Sequence, residues 1–119
     1  MYVPRSAIWT SPNTYLEPDL FYVSAETESR LQPNHRTTAD LVIEVISPGS
    51  AIYDRNTKSD TYAALGVKEL WLIDEDRRTV EVRVLEQERL QPSTELQDQD
   101  QARSKVLAGF EFVVSQLFN

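Results

Sequence analysis

The chain reads as an α/β or α+β protein, a mixed β-sheet with one crossover helix, and three observations predict this. The first is Leu41-Val42-Ile43-Glu44-Val45-Ile46, a β-branched and nearly unbroken apolar run suited to a strand buried on both faces. The second is the helical pattern from about Tyr53 to Leu65, closed by Gly66, a natural residue just past a helix end. The third is a pair of strand patterns, Glu69 to Asp74 and Thr79 to Leu85, joined by the charged turn Glu75-Asp76-Arg77-Arg78. Strand, helix, strand in that order calls for a crossover connection.

Upstream, residues 6–10 and Leu20 to Ser24 have strand composition, and Ser11-Pro12-Asn13-Thr14 between them supplies turn chemistry. Residues 25–38 contain Pro33 and no apolar periodicity, so they are expected to form an exposed loop. Ser47-Pro48-Gly49-Ser50 stops the central strand. Within the helix Lys58, Tyr62 and Leu65 fall at i, i+4 and i+7 and share one face; Arg55, Asn56, Ser59 and Asp60 are expected on the other. In the last strand Val80, Val82 and Val84 alternate with Glu81 and Arg83, which predicts one wet face and a place near a sheet edge. Residues 86–104, Gln- and Glu-rich with Pro92, are expected to be a flexible loop. Val106 to Phe118 is apolar again and suits a strand and short helix docked on the sheet. The 119 residues are enough for a single domain, residues 1–119, without internal repeats.

Composition narrows the chemistry. Apolar residues make up 40% and charged residues 26%, ordinary values for a soluble globular protein. No run approaches the ~18 apolar residues of a membrane span, and Met1 to Thr10 lacks the build of a signal peptide. A cytoplasmic protein with no membrane partner is the expectation. Without cysteine there is no disulfide, thiolate zinc site or cysteine nucleophile. The one histidine, His35, lies in the loop-like Gln32-Pro33-Asn34-His35, poor support for a Ser-His-Asp triad. Three glycines, at 49, 66 and 109, cannot build a phosphate-cradling loop. The net charge of −7 runs against the basic footprint of a nucleic-acid binder, although part of it sits in the segment Glu95 to Asp100.

Glu44 is the most informative residue. It interrupts the apolar run, and period-2 alternation puts it on the face of Val42 and Ile46. A carboxylate there must be paired, protonated or bound to a cation. A core ion pair satisfies that need as well as a metal does. Lys58 is the one basic residue on the helix face of Tyr62 and Leu65, and its ammonium points either at the strands or, by snorkelling, at water. A helix directly following the Glu44 strand brings the two together, and Asp54, one turn earlier, is an i,i+4 partner for Lys58. Asp19, after Pro18, opens a strand; alone it reads as a turn cap. Together, two carboxylates on neighbouring strands can hold Mg²⁺ through oxygen, and a lysine beside them can steady charge growing on phosphorus. A small structural α/β domain with a Glu44–Lys58 core pair is the plain alternative.

Glu17-Pro18-Asp19-Leu20-Phe21-Tyr22-Val23, Asp40 through Pro48, Asp54, Lys58, Tyr62, Gly66-Val67 and Glu69-Leu70-Trp71-Leu72-Ile73-Asp74 follow one another at compatible spacings. With Leu107-Ala108-Gly109-Phe110 and Leu117-Phe118, the pattern resembles the Uma-two family of putative restriction endonucleases, within the PD-(D/E)XK nuclease superfamily. The resemblance implies a restriction-endonuclease-like mixed sheet and a Mg²⁺-dependent (or Mn²⁺-dependent) endonuclease acting on DNA. It implies Asp19 and Glu44 as metal ligands, the backbone carbonyl of Val45 as a further ligand, and Lys58 as the catalytic lysine. In the usual motif the lysine stands two residues after the glutamate; here that position is Ile46, and Lys58 matches a lysine supplied from the following helix. Family members carry more chain before the Pro-Asp strand, including an N-terminal helix, so this chain is expected to be a shortened variant or a fragment. The exposed sheet that results would favour a homodimer. A catalytically inactive remnant of the fold, kept as a dimeric binding or regulatory module, is the second reading.

Overall fold

A computed structural model describes residues 7–11, 14–16, 18–32, 36–46 and 51–118. His35, Pro12-Asn13 and the strand stop at residues 47–50 lie outside the described residues, as does the side chain of Asp54. The fold is α+β. A short antiparallel pair, β1 (Ile8–Ser11) and β2 (Thr14–Leu16), precedes β3 (Leu20–Tyr22), α1 (Ala25–Ser29) and β4 (Leu41–Ile46). The helix α2 (Ala51–Ala64) leads to β5 (Glu69–Asp74), β6 (Thr79–Glu86), β7 (Arg89–Gln91) and β8 (Leu96–Gln97). A second antiparallel pair, β9 (Gln101–Arg103) with β10 (Glu111–Val113), precedes a 3-10 turn at Val114–Leu117.

The main sheet runs β3-β4-β5-β6-β7, with β8 also on β6. β4 and β5 pair in parallel from Leu41↔Glu69 to Ile46↔Asp74, so the chain must cross over between them, and α2 makes that crossing. Every other pairing in the sheet is antiparallel. Gly66 ends the helical segment at φ +80°, a conformation that a side chain disfavours.

Both faces of the sheet are covered. Val42, Ile46, Leu70, Leu72 and Leu90 join Tyr62 and Val67 in one core under α2. Leu41, Ile43, Trp71 and Val80 form the other, against Ala102, Val114 and the ring pair Phe110 and Phe112. Trp71 stacks obliquely on both rings, at centroid distances of 5.1 and 5.4 Å. Burial on both faces is why β4 and β5 lack polar alternation. No helix among the described residues is long and apolar enough to cross a membrane.

Four expectations require correction. Residues 25–38 contain α1, started by the Ser24 hydroxyl accepting the Thr27 N–H at 3.2 Å; five residues are too few to show apolar periodicity. Residues 86–104 contain β7, β8 and β9 rather than a structureless loop. The β6–β7 hairpin turns on Gln87 and Glu88, both left-handed at φ 51° and 65°. Such turns normally announce themselves through Asn and Gly, so this one carries no sequence signal. Next, Glu81 and Arg83 are not on a wet face: both are buried beneath α2, and Val82 and Val84 are the half-exposed residues. β6 does lie near an edge, one strand in from β7. Last, Arg55 and Ser59 are buried against the sheet instead of lying on the helix's outer side.

Two buried carboxylates hold the frame. Glu69, fully buried, accepts the Trp71 indole N–H at 2.5 Å and the Lys105 and Val106 amides at 2.9 and 3.2 Å, tying the C-terminal segment to β5. Asp40 accepts the Ser24 amide at 2.7 Å, the Thr27 hydroxyl at 3.0 Å and the Lys68 ammonium at 3.1 Å. Burial acts to raise the Asp40 pKa, but the hydrogen bonds from Ser24, Lys68 and Thr27 outweigh it and hold the carboxyl below its ordinary value. A carboxyl lowered in the folded state binds fewer protons than in the unfolded chain. Its stabilisation is therefore complete above the ordinary value of about 3.9 and is lost as pH falls from there through the lowered one. Asp40→Asn is expected to flatten the acid limb of stability against pH, measured by urea unfolding between pH 7 and 3. An unchanged limb would assign acid sensitivity elsewhere.

Candidate active site

The antiparallel register of β3 on β4 pairs Leu20 with Ile43, so the next position sets Asp19 opposite Glu44. At that step the strand bends, and side chains take over the ladder. The Asp19 amide donates to Glu44 Oε1 at 3.3 Å, and the Val45 amide donates to Asp19 Oδ2 at 2.7 Å. The two carboxylates thus lie side by side, Asp19 exposed and Glu44 only 5% exposed.

α2 completes the cluster from above. Lys58 and Tyr62, one turn apart, both reach Glu44 because i,i+4 side chains stand one above the other. The Lys58 ammonium bonds Glu44 Oε2, and the Tyr62 hydroxyl donates to Oε1 at 3.2 Å. Lys58 is the partly exposed member, with about a third of its side chain open to solvent. The helix is held in place by its neighbouring buried row. Arg55 bonds Asp74 at 2.9 Å and Glu81 and Glu95 at 3.3 Å each, and the Ser59 hydroxyl lies 3.4 Å from the Leu90 carbonyl.

Asp19, Glu44 and Lys58, far apart in sequence, are therefore neighbours in space. Tyr62 was placed on the right helix face by its spacing but given no role by it; the signal that could have found it is its position one turn after Lys58. Burial first, and then the Glu44 charge, push the Tyr62 phenol far up, so it stays protonated and can only donate to Glu44.

Leu16, Thr57 and Thr61 join Glu44, Lys58 and Tyr62 around a cavity of about 260 Å³. A larger cavity of about 570 Å³, lined by Val45, Ile73, Glu75, Asp76, Arg78, Leu117 and Phe118, contains none of the three acid–lysine residues. Volume alone does not identify the chemistry, and the smaller cavity is the one that meets the carboxylate.

Among the described residues, no group of three or more His, Cys, Asp or Glu side chains converges as a metal site. Asp19 and Glu44 lie side by side, and Mg²⁺ commonly takes one or two carboxylates and fills its octahedron with waters and phosphate oxygens. The all-oxygen character of Asp19, Glu44 and the neighbouring backbone fits a hard divalent cation.

A mixed sheet with one crossover helix over its parallel pair is a nuclease-like architecture. The crystal structure of a putative nuclease belonging to DUF820 from Anabaena variabilis ATCC 29413 superposes with a TM-score of 0.62 at 21% identity, covering 87% of this chain. This chain spans 60% of the length of that one. Residues 1–115 match the Uma2 family, described as putative restriction endonuclease, and the chain belongs to that family. No curated protein matches it.

Proposed function

We propose that the chain is a Mg²⁺-dependent endonuclease that hydrolyses DNA phosphodiester bonds, with Mn²⁺ as a substitute ion. One observation carries the reading: a buried Glu44 beside Asp19, with Lys58 delivered onto it from the crossover helix. Family membership supports the nuclease class.

The Asp19 and Glu44 carboxylates and the Val45 carbonyl would hold the ion, which when bound supplies Lewis acidity and a more acidic water. Asp19 is kept in place by the Val45 amide and Glu44 by the Asp19 amide, so each ligand is oriented by the other's strand. Lys58 stabilises the negative charge that builds on the phosphoryl oxygens as water attacks phosphorus. Its partly open side chain lets the ammonium meet a phosphate from solvent.

The test is Mn²⁺ binding by calorimetry to wild type, Glu44→Ala and Asp19→Ala. Binding in the wild type that is lost in both variants is expected, together with metal-dependent cleavage of plasmid DNA. Binding that survives both substitutions would remove Asp19 and Glu44 from the proposed site.

A second reading is a nuclease-fold module without catalysis, acting as a homodimer in the cytoplasm. The net charge of −7 favours it, as do the exposed Val45 and Leu117 beside the larger cavity, at 38% and 42%. A wild type that binds no Mn²⁺ but sediments as a dimer selects this reading.

A further inference from the structure

We propose that Tyr62 is a positioning residue: its hydroxyl fixes the Glu44 carboxylate in the orientation that binds the metal. The inference rests on the nuclease reading above and adds to it a residue that neither the acidic pair nor the lysine supplies.

The argument begins with Glu44. A carboxylate carries about four lone-pair sites and turns easily about its last torsion unless its oxygens are held. Here the two oxygens have different partners. Oε2 takes the Lys58 ammonium, and Oε1 takes the Asp19 amide and the Tyr62 hydroxyl. The Asp19 amide at 3.3 Å and the Tyr62 hydroxyl at 3.2 Å are both long contacts, and Lys58 is on a flexible stem that is partly open to solvent. Tyr62 is the rigid contact. Its ring is 4% exposed, packed in the core that Val42, Ile46, Leu70 and Leu72 form beneath α2.

That packing makes the contact directional. A phenol has two side-chain torsions, both fixed by the surrounding core, so its oxygen has one place to be. The hydroxyl has one proton, and the acceptor within its reach is Glu44 Oε1. A phenol beside a carboxylate meets it as the donor, because an ionised carboxylate offers only acceptor sites. Donation to one oxygen of a ligand carboxylate sets its plane. Outer-shell partners of this kind typically carry 10–100-fold in metal affinity.

A purely structural tyrosine predicts something different. Its hydroxyl would satisfy a buried acceptor and contribute to stability, and the site would bind metal equally well without it. Ser59 supplies the comparison: it lies on the same helix, and its hydroxyl serves the Leu90 carbonyl with no link to Glu44.

The experiment measures Mn²⁺ affinity by calorimetry and melting temperature for wild type, Tyr62→Phe and Ser59→Ala. Tyr62→Phe keeps the buried ring and removes only the oxygen. It is expected to weaken Mn²⁺ binding about tenfold or more, while Ser59→Ala lowers the melting temperature and leaves Mn²⁺ affinity within twofold. The metal dependence of cleavage should follow: Tyr62→Phe raises the Mn²⁺ concentration for half-maximal rate by the same factor, and saturating Mn²⁺ restores most of the rate. Unchanged Mn²⁺ affinity in Tyr62→Phe, with binding intact in the wild type, overturns the positioning role and leaves the nuclease reading standing. Absence of Mn²⁺ binding in the wild type itself overturns both.

Discussion

Lys58→Ala is expected to lower the rate of DNA cleavage by about 10²–10³-fold, the range for removal of one preorganised donor aimed at developing charge. The effect should fall on the rate at saturating metal and DNA, because the interaction is made most strongly when charge has accumulated on phosphorus. Stability should fall as well, because Glu44, 5% exposed, loses its cation and keeps only its bonds from Tyr62 and the Asp19 amide, so the rate is compared under conditions where the variant is folded. Lys58→Arg should not restore the rate: a planar guanidinium cannot occupy the place of a compact ammonium pinned over one carboxylate oxygen. Single-turnover cleavage of a labelled duplex measures the loss directly. A rate within a few-fold of wild type would leave Lys58 as the partner of a core glutamate and nothing more.

The second large effect concerns stability. Arg55→Ala should destabilise the fold by about 3–5 kcal/mol, the cost of breaking a buried pair by removing one partner. Arg55 and its partners Asp74 and Glu81 are nearly solvent-free, their side chains 8%, 5% and 5% exposed. Truncation leaves those carboxylates, with Glu95, in a desolvated layer; among the described residues the remaining cations are Arg83 on Glu81 and Arg77 on Glu95, each at 2.9 Å, and the Arg77 and Ser93 amides donate to Asp74 and Glu81 at 3.0 Å each. Urea unfolding at pH 7 measures the loss, with the slope unchanged if the unfolded state is unaffected. A loss below about 1 kcal/mol would mean that the network is solvated like a surface pair. Arg55 also fastens the half of α2 that carries Lys58, so the variant is expected to lose activity in proportion to the disorder of that helix.

The contrast between these two residues shows what could be read from sequence. Lys58 was legible because it is alone among apolar neighbours on its helix face, and Glu44 because it breaks an apolar strand; each is a polar residue where the pattern forbids one. Arg55, Glu81 and Arg83 offered no such signal. Alternation along β6 gives two faces but not which of them is wet, and valine on one side made the charged side look exposed. In fact the charged side packs under α2 as a closed ion network, while the valine side is half covered by the C-terminal segment. Periodicity reports that two faces differ; the neighbours decide which one is dry.

The sequence by itself determined the mixed sheet, the crossover helix between parallel β4 and β5, the family, and the candidate trio Asp19, Glu44 and Lys58. The sheet, the helix, Glu44 and Lys58 depend on local patterning: a doubly buried strand, a 3.6-residue period and a glycine past the helix end. The family and the role of Asp19 follow instead from the resemblance carried by linked motifs along the whole chain. Only the tertiary structure decided that β3 meets β4 in the register setting Asp19 against Glu44, that Tyr62 shares Glu44 with Lys58, and that β7 and β8 fold back on β6. The site itself depends on contacts between residues 14 to 25 apart in the chain. Such contacts are fixed by packing and by the need to satisfy buried charge, and neither leaves a period in the chain.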